Sequence, residues 1–344
     1  MRTYAVLICL LVGVIFCFPA QAFAASPFEL DFDQTGYFNF GAEGEGLYEN
    51  PVTHVRGTNQ SSGTVSSDIQ GTPVFGMTYW QGYGPNYWAG GAEAGQANVT
   101  FNGNPISGTA LAEQPGGDFG VGFKANVTPY LSQGVNPYTI GGVKFGDTPT
   151  SGNGVNNGFA LMHVSEDPTQ MNYGRLMIKS GNDYAFHGFG GNNGPNTQVL
   201  GFSFDPVAYD RDAEIYLIYA GGEDSANPSN GDRRSYLWYD TNETGIIPAD
   251  LVDEPGATQY PEPHLLFARS GFDWDVFHLL LPIPSNATTL ALQTESDDEV
   301  YNGESFVWVG ATAFIPEGQT TIPEPSTLLL LGIGLSGFLA KRFR

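Results

Sequence analysis

Nowhere between residues 25 and 322 does the chain hold a helical apolar period for three turns, and that constrains its fold more than any other feature. Short runs rich in aromatic and β-branched residues recur instead, at 74–80, 97–101, 158–164, 214–220, 235–239, 288–294 and 305–315. Such side chains suit a pleated, half-buried surface. Clusters such as Gly190-Gly191-Asn192-Asn193-Gly194-Pro195 separate the runs and supply the backbone conformations that turns need. Composition agrees, with 46 Gly and 23 Pro among 344 residues and only 14% charged side chains. The pattern predicts an all-β chain of antiparallel sheets.

The runs also repeat in order. Met77-Thr78-Tyr79-Trp80, Val99-Thr100-Phe101-Asn102, Phe123-Lys124-Ala125-Asn126-Val127, Tyr138-Thr139-Ile140 and Gly158-Phe159-Ala160-Leu161-Met162 form a first series. The second series is Ile215-Tyr216-Leu217-Ile218-Tyr219, Leu237-Trp238-Tyr239-Asp240, Phe272-Asp273-Trp274-Asp275-Val276, Leu290-Ala291-Leu292 and Ser305-Phe306-Val307-Trp308-Val309. From Tyr79 to Asn102 is 23 positions and from Tyr219 to Asp240 is 21, whereas the middle interval is longer in the second series because of an acidic, Pro-rich insertion at 250–263. A duplicated unit follows, giving two tandem antiparallel β-sandwiches, jelly-roll or immunoglobulin-like, over residues 25–190 and 191–318.

Both ends of the chain read as addresses. Residues 1–24 carry Arg2, an apolar run from Tyr4 to Phe18 and the small-residue exit Ala22-Phe23-Ala24, the order of a signal helix removed by signal peptidase. Cys9 and Cys17 both lie inside it, so the exported chain is expected to have no thiol for a disulfide, a cluster, a zinc site or a nucleophile. Residues 319–344 hold Pro323-Glu324-Pro325, an uncharged apolar run at 328–340, and Lys341-Arg342-Phe343-Arg344. Thirteen helical residues rise about 20 Å against a hydrocarbon core of about 30 Å, which suits a temporary transmembrane helix with its basic end in the cytoplasm. Within that run, Gly332, Gly334 and Gly337 match dinucleotide-loop spacing without the strand or the later acid such a loop needs, and are assigned to helix packing.

In motif, order and position this tail resembles the PEP-CTERM sorting signal of Gram-negative bacteria. The resemblance implies recognition by exosortase, a membrane-embedded transpeptidase that removes the helix and leaves the ectodomain at the cell surface, commonly alongside exopolysaccharide and biofilm production. A second resemblance is to an uncharacterised repeat domain of archaeal and bacterial surface proteins. It rests on Ala97-Asn98-Val99-Thr100-Phe101-Asn102-Gly103, Asn126-Val127-Thr128, Gly158-Phe159-Ala160-Leu161 and Glu166-Asp167-Pro168. Asn126 stands where that pattern has Asp, and the second series keeps only Asp275-Val276. It implies a surface module and no known reaction.

Charge narrows the partners. The chain has 36 acids against 13 bases, and setting the two terminal segments aside leaves 35 against nine. Nucleic acid and anionic headgroups are repelled by such a surface, so cations, neutral polymers and proteins remain. His54, His163, His187, His264 and His278 show no HExxH spacing, and there is neither a nucleophile elbow nor a P-loop. Asp31/Asp33 and Asp273/Asp275 alternate on strands, which would place each pair on one face, as paired carboxylates for glycoside hydrolysis require. Calcium is a better use of acids in loops, and three clusters offer oxygens: Asp205, Asp210, Asp212 and Glu214; Glu223, Asp224 and Asp232; and Asp297-Asp298-Glu299. Residues 77–88 concentrate aromatics around a Gly-Pro turn, so Trp80, Tyr83, Tyr87 and Trp88 are candidates for a sugar-stacking platform. The expectation is a non-enzymatic, surface-sorted protein of the bacterial extracellular matrix or biofilm, with the sorting motif Pro323, Glu324 and Pro325 as its functional residues. The alternative is a carbohydrate-binding module for exopolysaccharide, ahead of a glycan-active enzyme.

Overall fold

The computed structural model describes residues 28–48, 59–83, 96–112, 120–145, 154–186, 194–221, 235–252, 254–260, 274–296 and 306–318. The signal segment and the sorting tail lie outside them. In chain order the strands are β1 (Glu29–Gly46), β2 (Ser62–Ile69), β3 (Pro73–Tyr83), β4 (Asn98–Phe101), β5 (Asn104–Ser107), β6 (Thr109–Ala110), β7 (Val121–Asn126), β8 (Gly134–Gly141) and β9 (Val155–Glu166). Then follow β10 (Tyr173–Ala185), β11 (Leu200–Ser203), β12 (Arg211–Ala220), β13 (Ser235–Asn242), β14 (Thr258–Gln259), β15 (Trp274–Ile283), β16 (Thr289–Ser296) and β17 (Phe306–Pro316). Among the described residues the chain is all-β apart from a 3-10 turn at Thr128–Tyr130, and its ladders are antiparallel, as the sequence pattern predicts.

Nine strands form one sheet in the order β15-β12-β17-β10-β1-β9-β3-β7-β6, and two four-stranded sheets run β11-β16-β13-β14 and β2-β8-β4-β5. The long sheet turns at β1, whose residues Glu29 to Tyr37 pair with β10 and whose residues Phe38 to Gly46 pair with β9. Its two halves therefore face each other across a seam filled by Tyr79, Met162, Ile178, Trp274 and Val309. On its outer face each half carries a four-stranded sheet, packed around Trp80, Phe101, Phe123 and Tyr138 in one sandwich and Leu217, Phe277, Leu290 and Trp308 in the other. Strands of the long sheet are thus covered on both faces. This is why 158–164 reads as an unbroken apolar run, with Phe159 and Leu161 in one core and Ala160, Met162 and Val164 in the seam.

The duplication is visible in the topology. The order β9-β3-β7 in one sandwich matches β17-β12-β15 in the other, and β2-β8-β4-β5 matches β11-β16-β13-β14. By the same correspondence β10 stands where the second half of β1 does, beside the strand that closes each unit. In strand order β10 is thus the counterpart of the second half of β1, and it precedes the 190/191 division expected from the sequence. Arg175, Lys179, Asn182 and Asp183 break the apolar pattern of β10 and hide it from a hydropathy argument.

Asp167 organises that turn. Its Oδ1 accepts from the Thr169 N–H (2.8 Å) and hydroxyl (2.6 Å), and its Oδ2 accepts from the N–H groups of Met171 (2.8 Å) and Asn172 (2.9 Å). Burial works against the charge, but these four bonds together hold the carboxyl well below the usual carboxylate range. Close backbone approach explains Gly158 at the seam, where a Cβ would lie 2.6 Å from both the Glu45 carbonyl oxygen and the Trp274 Cβ. The strand ends Tyr83, Ala185, Ala220 and Ser296 all lie at one end of the molecule. There Asn182 N–H donates to the Ala112 carbonyl (2.9 Å) across the seam. Pro316 and the Asp167 turn lie at the opposite end, where Phe40 packs on Phe314 at 5.2 Å.

Candidate functional site

The most concentrated polar chemistry among the described residues sits in the seam. A β-bulge between Leu30 and Phe32 turns Asp31 inward, where its side chain is 4% exposed. Lys124, from β7 in the facing half, donates to Asp31 Oδ1 (2.7 Å), Glu29 Oε2 (2.9 Å) and Ser180 Oγ (3.3 Å). The hydroxyls of Ser180 and Tyr79 donate to Asp31 Oδ2 at 2.5 and 3.1 Å. Burial opposes the charge on Lys124, but its bonds to Asp31 and Glu29 outweigh that and raise its pKa. Tyr79 is held well above its ordinary value by burial and by the Asp31 charge, so it stays a donor. Both carboxylate oxygens of Asp31 are engaged, which makes the cluster a clasp between the two sandwiches.

This geometry corrects the expected Asp31/Asp33 pair. Asp33 faces the other side of the sheet and takes both Nε and Nη2 of Arg175 at 2.8 Å. The bulge breaks the alternation that would have put both carboxylates on one face. Asp275 is buried in β15, and Asp273 lies outside the described residues.

The first acidic loop cluster is also dispersed. Asp210 Oδ1 accepts from the Ser285 N–H (2.8 Å), Glu214 Oε1 pairs with His278 Nε2 (2.8 Å), and Asp205 contributes its backbone carbonyl to Arg211 (3.1 Å). Among the described residues no three His, Cys, Asp or Glu side chains are grouped as a metal would need. Asp210 and Glu214 are thus engaged by separate neighbours, whereas the calcium reading needs them directed at one cation. The clusters at 223–232 and 297–299 lie outside the described residues, as do His54, His187 and His264. His163 is buried with Nε2 on Ser67 Oγ (2.7 Å), and burial lowers its pKa to about 4. His278 stacks on Tyr216 at 4.6 Å.

Of the aromatic platform, Trp80 is a core residue. It has no exposed surface, stacks on Phe123 at 5.6 Å and donates its indole N–H to the Gln96 carbonyl (3.0 Å), so neither face is open to a sugar. Tyr83 is half-buried at the end of β3, and Tyr87 and Trp88 lie outside the described residues.

Sequence reasoning missed the clasp and one further group. Asp183 sits in a second bulge, between Ser180 and Asp183 of β10, fully buried, with Oδ2 accepting from the Gln198 N–H (2.7 Å) and Oδ1 unpaired. Burial pushes its pKa up to about 8, against the lowering effect of that bond. Lys124 offered the one usable signal for the clasp: a rare base in the middle of a strand of a strongly acidic chain.

Among the described residues no helix is long and apolar enough to cross a membrane. Comparison with curated proteins finds no match. Among solved structures, the chain is similar to the ectodomain of ANX2 from Arabidopsis thaliana, at 8% identity over 84% of this chain and 90% of that one, with a TM-score of 0.23. It is also similar to PNGase F, a glycosylasparaginase from Flavobacterium meningosepticum, at 10% identity over 81% and 97%, with a TM-score of 0.26. A cycloalternan-forming enzyme from Listeria monocytogenes is similar at 9% identity over 80% and 22%, with a TM-score of 0.22. Likenesses this loose carry no argument about function. The informative match is at residues 321–344, which fit the PEP-CTERM protein-sorting motif, and the chain is accordingly a carrier of the exosortase-substrate signal, a processed and surface-sorted protein.

Proposed function

We propose that the protein is a non-enzymatic component of the bacterial extracellular matrix or biofilm. It is exported by its N-terminal signal, held briefly by the helix at 328–340, and delivered to the cell surface or matrix once exosortase has cut near Pro323-Glu324-Pro325. The sorting motif carries the reading. Its acidity supports it, since a disulfide-free body with 35 acids against nine bases stays soluble outside a cell and repels nucleic acid and anionic lipid. So does the use of its titratable groups: Asp31, Lys124, Asp167 and His163 all build the fold. Fractionation of biofilm-grown cells tests this. The processed form is expected in the matrix fraction, and its confinement to the periplasm would contradict the proposal.

Exopolysaccharide is the ligand class that a second, narrower reading favours, through Tyr83 at the strand-end face together with Tyr87 and Trp88. The triple variant Tyr83→Ala/Tyr87→Ala/Trp88→Ala should lose retention on an exopolysaccharide column while keeping its melting curve. No retention of the wild type on a panel of such polymers would remove this reading.

A further inference from the structure

The strand that precedes the sorting tail is not an edge strand. β17 lies between β10 and β12 with both of its edges paired, and the Glu317 N–H still donates to the Tyr173 carbonyl (3.1 Å). The tail therefore leaves the fold at a fixed point, the end that also holds the Asp167 turn, Ser203 and Pro284. From Gly318 to Thr327 only ten residues separate that point from the apolar run, a reach of at most about 35 Å when fully extended. β17 itself, eleven residues at about 3.3 Å each, is about as long. Turning the body over would consume the whole linker. Laying it flat would press an acidic surface against anionic headgroups within a Debye length of about 8 Å.

We infer that, while tethered, the protein stands on the lipid surface with its Asp167-turn end toward the bilayer and the Tyr83, Ala185, Ala220 and Ser296 strand ends outward. The outward end is then the one any matrix partner meets first. This rests on the reading that residues 328–340 anchor the chain. It also places Tyr83 on the side away from the membrane.

Both native cysteines lie in the N-terminal signal, so single introduced cysteines can be labelled cleanly in the exported chain. Met171 is 78% exposed in the β9–β10 turn, and Ser62 is exposed at the opposite end, where it pairs with Gly141. The exported chain with its sorting tail uncut, carrying Met171→Cys or Ser62→Cys and a fluorescent donor, is reconstituted in phosphatidylethanolamine/phosphatidylglycerol vesicles containing a rhodamine headgroup acceptor. Energy transfer from position 171 should exceed that from position 62 at least twofold. Equal or reversed transfer in vesicle-bound protein would overturn the orientation alone. Failure of either labelled chain to float with the vesicles would overturn the anchoring reading, and the orientation with it.

Discussion

Replacing Asp183 with Asn separates one proton from the rest of a very acidic molecule. In the folded chain burial raises this carboxyl to about 8, whereas an unfolded aspartate titrates near 3.9. A raised folded pKa means that the native state holds the proton more tightly. The associated stability is complete below about pH 4, falls as pH rises, and is gone above about pH 8. One proton corresponds to about 1.4 kcal/mol per pH unit inside that window, so between pH 5 and pH 8 the wild type should lose on the order of 4 kcal/mol relative to Asp183→Asn. The Asn side chain can still accept from the Gln198 N–H and cannot ionise. Urea unfolding of the processed protein at pH 5, 6, 7 and 8, for both forms, gives the difference directly, and the repulsion among the other acids cancels in it. The two should be closely matched at pH 5, with the variant well ahead at pH 8. Parallel stability curves would refute the claim that Asp183 is buried without a counter-charge.

Lys124→Met leaves Asp31 buried with hydroxyl donors alone, and a loss of about 3 kcal/mol is expected in the same urea assay at neutral pH; an unchanged midpoint would mean that the clasp contributes nothing. Because the Lys124 pKa is raised, its contribution is complete at neutral pH and is lost only as pH climbs through the folded value. Asp167→Ala removes the acceptor of four bonds in the β9–β10 turn and should cost about 3 kcal/mol at pH 7. Because the Asp167 pKa is depressed, that cost is complete above the ordinary aspartate value and the gap to wild type should narrow progressively as pH falls below about 4; a gap independent of pH would contradict the assignment.

What the sequence disclosed was whatever depended on strands covered on both faces. Runs around Tyr79, Phe159, Tyr219 and Trp308 stand out because these segments lie between two cores, and their repeated order carries over into matching sheet orders. β1 and β10 were harder to read because polar residues interrupt them at the seam and at the sandwich surface. The bulges were illegible, since one extra residue in a ladder leaves no mark on composition. They decide that Asp31 meets Lys124 and that Asp183 is buried. Trp80 shows the opposite error, an aromatic in a promising cluster whose Nε1–H is already used within the core.

The central claim is that the tail at 321–344 is cut by exosortase. Intact mass measured on the wild type and on Glu324→Gln, each isolated from the native host, tests it most directly. The account predicts a wild type that has lost residues 328–344 and a variant that keeps them in the membrane fraction. Identical processing of the two chains, or a wild type that keeps its full tail, would contradict it.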